Sequence, residues 1–228
     1  MEEFLVKNIQ IAIDGPSGAG KSTMAKMIAK ELGILYLDTG AMYRAVALKA
    51  IRSGIDTKDS SALAEMVKGI DLQIVYEDGI QKVILDGTDV TEDIRTPAVT
   101  VGSSDVAVNS AVREKMVELQ REIAEKSSVI MDGRDIGTHV LPNADVKIFL
   151  TASIEDRTKR RYEELKEKGT LKQTFEELKK EMEYRDKNDS SRTHSPLKKA
   201  DDAILLDTTG FSVEESAKTI LDIIKSRL

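Results

Sequence analysis

The sequence predicts an α/β fold, with a central parallel sheet flanked by helices and interrupted by a small antiparallel insert. Three observations predict it. Apolar strand-like runs alternate with helical patterns along most of the chain. A glycine-rich turn, residues 15–22, separates the first apolar run from the first helical pattern. Near residue 72 the alternation breaks into short apolar runs around Asp-Gly pairs, the pattern of a hairpin.

The strand-like runs are Ile9–Ile13, Ile34–Leu37, Val129–Met131, Val146–Leu150 and Ala203–Leu206. The helical patterns are Thr23–Leu32, Ala41–Arg52, Ser110–Lys126, Ile154–Lys168, Phe175–Asn188 and Val213–Arg227. Capping boxes are expected at Ser153 with Asp156, Thr174 with Glu177, and Ser212 with Glu215. The insert reads as Leu72–Tyr76 and Lys82–Leu85 around Glu77-Asp78-Gly79, followed by Asp86-Gly87 and Thr88-Asp89-Val90. It is expected to occupy residues 66–105.

Composition narrows the function. The 228 residues, 40% hydrophobic, suit one large α/β domain or a core with small inserts. No stretch approaches the ~20 apolar residues of a membrane span. The acidic start, Met1-Glu2-Glu3, lacks the basic opening of a secretory signal, so a cytoplasmic location is expected. The absence of cysteine excludes disulfides and cysteine zinc sites. A net charge of −6 argues against broad binding to nucleic acid or anionic membranes. An anion site must therefore be a local cluster of arginine and lysine.

The run Gly15-Pro16-Ser17-Gly18-Ala19-Gly20-Lys21-Ser22 meets the P-loop pattern, in the strand–turn–helix context that such a loop requires. Its glycines let successive backbone N–H groups point at phosphate oxygens, and the helix N-terminus adds partial positive charge there. Lys21 is then placed to reach the outer phosphates, and the Ser22 hydroxyl to ligate Mg²⁺. With Thr23, this run is the expected ATP-binding segment.

Phosphoryl transfer needs positioning and neutralisation of charge on phosphate oxygens, so clustered arginines are the next signal. Arg44 follows Asp38-Thr39-Gly40-Ala41-Met42-Tyr43 in the first turn of a helix, able to reach the carboxyl edge of the sheet; a surface ion pair accounts for it equally. Asp132-Gly133-Arg134-Asp135 ends a buried strand, which suits Asp132 to Mg²⁺ and Arg134 to the transferred phosphate. Arg157, Arg160 and Arg161 lie near one helix face, where they either bind an anion or are offset by Glu155, Glu163 and Glu164. Arg185, Asp189 and Arg192 form one stripe if the helix persists, suited to phosphate and ribose or to a plain ion-pair ladder. His139 and His194 lack metal-ligand partners at useful spacing. Asp207-Thr208-Thr209-Gly210 mimics a GTPase switch motif, but too late in the chain, and no guanine-reading motif accompanies it.

Together these residues resemble the bacterial cytidylate kinases of the nucleoside monophosphate kinase family. The resemblance rests on Ala12 to Ser22, Asp38 to Arg44, Ile94-Arg95-Thr96, Asp132-Gly133-Arg134-Asp135-Ile136-Gly137-Thr138, Val146 to Leu150 and Arg185-Asp186. It implies a P-loop NTPase three-layer fold, with core at 1–65 and 106–228, a monophosphate-binding insert at 66–105 and a helical lid at 157–172. It implies that Arg44, Arg134 and Arg192 hold the acceptor phosphate. Ser104, Arg113 and Asp135 would read cytosine, Arg185 and Asp189 would hold the sugar, and Thr39 keeps a hydroxyl where some members carry serine. Arg157, Arg160 and Arg161 would lie on or beside the lid over ATP, with Asp207-Thr208-Thr209 near adenine.

The expected reaction is ATP + (d)CMP ⇌ ADP + (d)CDP with Mg²⁺, catalysed by Lys21, Asp132, Arg134, Arg157 and Arg161. The acceptor is already an anion, so no general base is required. A hydroxyl-acceptor kinase would instead need Asp135 as base. An ATP-gated binding module would transfer nothing. A monomer acting on small nucleotides is expected, because a closing lid needs freedom.

Overall fold

The structure is a computed structural model that describes residues 8–77, 79–192 and 195–228. Asp78 of the expected hairpin turn, His194 and the acidic start Met1-Glu2-Glu3 lie outside the described residues. The strands are β1 Gln10–Asp14, β2 Leu35–Asp38, β3 Leu72–Glu77, β4 Ile80–Leu85, β5 Thr88–Asp89, β6 Val129–Gly133, β7 Val146–Thr151 and β8 Ile204–Asp207. The α-helices are α1 Lys21–Leu32, α2 Thr39–Arg52, α3 Ser60–Lys68, α4 Pro97–Val106, α5 Ser110–Lys126, α6 Ile154–Glu167, α7 Phe175–Ser191 and α8 Val213–Lys225. A 3₁₀ turn, Asp93–Arg95, and a π-helical turn, Ile136–Val140, complete them.

The chain divides into two compact units, residues 1–34 with 128–228, and residues 35–127. In the first, β6, β1, β7 and β8 lie side by side, all parallel. Ile11, Ala12, Ile13, Ile130, Met131, Ile148 and Leu150 are fully or almost fully buried. Such uninterrupted apolar runs are what a parallel strand covered on both faces requires. Helix α1 packs against β6 and α8, and α8 contributes the buried Ile220 and Ile224. The register sets the carboxyl ends of β1 and β6 side by side, with Ile13 opposite Asp132 and Asp14 opposite Gly133.

The second unit contains the antiparallel meander β3–β4–β5. Asp86 and Gly87, which join β4 to β5, both have positive φ (49° and 77°), as a tight two-residue hairpin of the mirror-image type demands. The unit is wider than the insert expected at 66–105, because α2 packs on α4 and on β4. Gly102 permits the first of these contacts: a Cβ there would lie 3.0 Å from Thr57 Cγ2 and 3.4 Å from Ala47 Cβ. Asn109 caps α5 through Val112 N–H (3.1 Å) and donates to Ser60 at the start of α3.

Helices α3, α4 and the π-helical turn were not expected from the sequence. Only Leu63 and Val67 are buried on α3, and α4 opens on Pro97 with few strong helix formers, so neither shows a long apolar stripe. The capping boxes at Thr174/Glu177 and Ser212/Glu215 are reciprocal. That at Ser153 is one-sided. Ser153 accepts from Asp156 N–H, but the Asp156 carboxylate accepts from Gly210 N–H at 2.6 Å instead.

Replacing Gly102 with leucine is expected to destabilise the protein by about 1–3 kcal/mol through overpacking between α2 and α4. Urea unfolding at constant slope checks this. An unchanged midpoint would contradict the close packing.

Candidate functional site

The glycine-rich loop joins β1 to α1 in the first unit. Gly15 (φ 152°) is fixed by crowding, since a Cβ would fall 2.0 Å from Leu150 O. Gly18 (φ 74°) leaves room for Met182 and Arg157: a Cβ there would fall 2.6 Å from Met182 Cε. Gly20 (φ 88°) takes the N-cap position of α1, which no side chain caps. The first turn of that helix therefore presents N–H groups that no side-chain cap occupies, the usual arrangement at an anion site.

Lys21 is buried and donates to Pro16 O at 2.7 Å. Burial, reinforced by the nearby Arg134 charge, lowers its ammonium from 10.5 to about 7, against the opposing pull of Asp132, Asp14 and Asp189. Ser22 Oγ donates to Asp132 Oδ2 at 2.8 Å, bringing a hydroxyl and a carboxylate together at the mouth of the loop. Among the described residues no group of three or more His, Cys, Asp or Glu side chains could hold a metal. A pair of hard oxygens beside a phosphate loop nonetheless fits Mg²⁺, which commonly takes one or two protein ligands and completes its shell with water and phosphate.

The turn after β6 brings the second cluster to the same edge. Arg134 Nε donates to Asp189 Oδ2 at 2.7 Å and its Nη1 to Gly133 O at 3.3 Å. Arg192 also donates to Asp189, so one buried carboxylate holds two arginines. Its own burial opposes ionisation, yet these arginines and Arg185 keep the Asp189 carboxyl below its usual range. Helix α7 ends at Ser191, so Arg192 reaches back from the C-cap position rather than continuing the stripe. Arg185 is half-buried, makes no hydrogen bond among the described residues, and has its pKa lowered by burial and by Arg134. Asp135 is buried at the N-cap of the π-helical turn. His139 lies inside that turn, its N–H donating to Asp135 O.

The three arginines of α6 separate. Arg157 is buried and donates to Ala152 O, Ser17 O and Asp186 Oδ2 at 2.9, 2.9 and 2.6 Å. Arg160 donates to Thr208 O at 2.6 Å and Ala19 O at 3.5 Å, linking the phosphate loop to the 207–209 loop. Arg161 pairs with Glu164 on a part-exposed face. In the sequence they shared one face; in the fold only Arg161 keeps the solvated pairing that its spacing also allowed.

Asp14, which the sequence reading did not single out, ends β1 buried between the two clusters. It accepts from Ile136 N–H (2.8 Å) and Gly137 N–H (2.7 Å). Burial raises its carboxyl from 3.8 to about 6, outweighing those two amides. An acidic residue closing an apolar strand was the available signal.

In the second unit, Asp38 caps α2 through Ala41 N–H (2.9 Å) and binds Arg44 Nη2 (2.9 Å). Gly40 makes room: a Cβ would lie 3.2 Å from both Arg44 Nη1 and Asp38 Oδ1. Gln81 of β4 accepts from Asp38 N–H (2.8 Å) and donates to its carbonyl. Thr39 is buried at the first position of α2. Arg113 of α5 is buried, donates to Ala107 O and lies 5.7 Å over the Tyr43 ring, while Ser104 is half-buried on α4.

A phosphate loop with a buried lysine, and an arginine-rich turn at the same edge of a parallel sheet, define a P-loop protein of the phosphotransferase class. The family model "Cytidylate kinase" matches residues 11–226. Proteins named cytidylate kinase from Bacillus pumilus and Caldicellulosiruptor bescii are 54% and 51% identical over 216 and 218 residues, about 95% of each chain. One from Bacillus subtilis is 50% identical over 221 residues, covering 97% of this chain and 98% of its own. The chain belongs to the cytidylate kinase family. An uncharacterised protein from Eubacterium ventriosum, 18% identical with a TM-score of 0.54 over 97% of this chain and all of its own, shares the fold. So does TT1252 from Thermus thermophilus, at 15% identity and a TM-score of 0.50 over 97% of this chain and 98% of its own.

The raised pKa of Asp14 favours the folded state at low pH. That contribution is complete below the unfolded value of 3.8 and is lost as pH rises through about 6. The stability of the wild type relative to Asp14→Asn is expected to fall by about 2 kcal/mol between pH 4 and 7. Chemical denaturation at both pH values checks it, and a rise instead would refute the burial effect.

Proposed function

We propose that the protein transfers the γ-phosphoryl group of ATP to CMP or dCMP, giving ADP and CDP or dCDP in pyrimidine nucleotide metabolism. One observation carries the reading. In a member of this family, Lys21 of the phosphate loop is buried at the carboxyl edge of β1 and β6, where the charge of Arg134 in the β6 turn acts on it. Two cations so crowded suit the negative charge of a phosphoryl group in flight.

In this reading Gly15, Pro16, Ser17, Gly18, Ala19, Gly20, Lys21, Ser22 and Thr23 form the ATP site. Their backbone amides and the Lys21 ammonium face the phosphates, and an anionic ligand favours the charged form of Lys21 that burial disfavours. Ser22 and Asp132 hold Mg²⁺, which supplies neutralisation of the phosphate charge. Arg160, through its bonds to Thr208 and Ala19, fixes the loop beside adenine. Arg161 belongs to a lid at 157–172 that excludes water from the transfer.

For the acceptor, the first unit offers Arg134 and Arg192 to phosphate, Asp135 to the base, and Arg185 with Asp189 to the sugar. The second unit offers Thr39 and Arg44 beside the capped start of α2, and Ser104 with Arg113 to the base, within a monophosphate-binding insert at 66–105. The acceptor phosphate is its own nucleophile, so the residues align, neutralise and exclude water rather than abstract a proton. The reading includes action as a monomer in the cytoplasm. No helix among the described residues is long and apolar enough to cross a membrane, and the charge of −6 disfavours nucleic-acid partners.

Coupled ADP release with Mg-ATP and CMP, dCMP, UMP, AMP or GMP tests the reading. Rapid turnover on CMP and dCMP, slower turnover on UMP and none without acceptor are expected. Replacing Arg134 with alanine is expected to lower turnover by about 10³–10⁵, the scale of a lost arginine finger. Turnover within tenfold of wild type would remove Arg134 from its role.

A further inference from the structure

One residue of the phosphate loop is gripped from two helices. Ser17 N–H donates to Asp186 Oδ1 of α7 at 3.2 Å, and Ser17 O accepts from Arg157 Nη1 of α6 at 2.9 Å. Asp186 Oδ2 and Arg157 Nη1 close the ring at 2.6 Å. Arg157 is itself fixed by its Nε bond to Ala152 O at the end of β7. The adjoining Gly18 has no side chain, so Met182 of α7 and Arg157 of α6 can sit directly on the loop.

The same helix carries the acceptor-side residues. Met182, Arg185, Asp186 and Asp189 fall at i, i+3, i+4 and i+7, one face of α7. The first and third meet the phosphate loop. Asp189 holds Arg134 at 2.7 Å, and Arg185 stands within the field of both. A rigid helix touching two ligand-binding segments transmits a displacement of either one to the other.

We infer that Asp186 is a positioning residue that couples the donor and acceptor sites: through Ser17 and Arg157 it ties the phosphate loop to the face of α7 that carries Arg185 and Asp189. The inference rests on the proposed function. A nucleoside monophosphate held by Arg185 and Asp189 fixes the face of α7 that carries Asp186, and Asp186 fixes both polar groups of Ser17 in the arrangement that receives the triphosphate. Thermodynamic reciprocity requires the triphosphate to tighten monophosphate binding by the same factor. Arg157 accordingly acts through the loop backbone, and Asp186 touches no reacting atom.

Titration calorimetry of the full chain tests this. Adenylyl imidodiphosphate with Mg²⁺ is titrated in the absence and the presence of saturating CMP. The wild type is expected to bind the analogue at least fivefold more tightly with CMP present. In Asp186→Asn, which keeps the shape but loses the charge that holds Arg157, the ratio is expected to fall below twofold while CMP alone still binds. Asp186→Glu, with the charge on a longer arm, is expected to recover part of the ratio. If Asp186→Asn does not fold, Arg157→Lys, which keeps the charge but loses the fork between Ser17 and Asp186, carries the same expectation. A wild type that binds both ligands with no change in affinity, or a variant that retains the full ratio, overturns the inference and leaves the proposed function standing. A wild type that binds the analogue but not CMP overturns both.

Discussion

Charge crowded at the carboxyl ends of β1 and β6 is the constraint around which the first unit is arranged. The parallel register brings Asp14, Asp132 and the turn to Arg134 together, and the loop from β1 returns Lys21 to the same place. In a low-dielectric interior such groups must be paired or hydrogen-bonded, or they discharge. Each has an answer. Asp14 takes two amides, Asp132 takes the Ser22 hydroxyl, Lys21 takes a carbonyl, and Asp189 takes two arginines. The cost remains visible in Lys21 and Asp14, both driven toward their neutral forms. A site strained toward neutrality gains from a polyanion, which is the physical link between the fold and nucleotide binding.

The helices after β7 serve this cluster more than they serve the core. Only Arg157 and Thr158 are buried on α6, and only Leu178, Met182 and Asp189 on α7. Polar contacts hold them: Arg157 and Asp186 on Ser17, Asp189 on Arg134, and Arg160 on the 207–209 loop. Segments attached by so few buried apolar side chains open at low free energy. The meander of the second unit follows the same economy, with Gln81 and the Tyr76 hydroxyl (3.0 Å to Tyr36 O) fastening it to β2 by backbone contacts. Burial raises that phenol to about 12, so its proton and its bond persist through neutral pH.

Much of this was legible in sequence because the signals are local. Strands β1, β2, β6, β7 and β8 and six of the helices were expected within a few residues, since hydrophobic period and capping chemistry act over one or two turns. Helix α5 begins and ends where its pattern does, at Ser110 and Lys126. Helices α3 and α4 escaped because short elements with two or three buried residues carry little periodicity, and the π-helical turn because Asp14, over a hundred residues away, satisfies its first amides.

Sequence alone dictated the glycine loop, the lysine and serine that follow it, and the strand-end carboxylates and arginines, because the backbone freedom and side-chain chemistry of phosphate handling reside in those residue types at short spacing. It could not assign partners to the arginines. Arg157, Arg160 and Arg161 are equivalent as a spacing. Packing gave the first to the phosphate loop, the second to a loop after β8 and the third to a neighbouring glutamate on the helix surface. That choice belongs to the folded chain because a guanidinium finds its carbonyls and carboxylates in space, and here those acceptors stand up to 141 residues away in the chain.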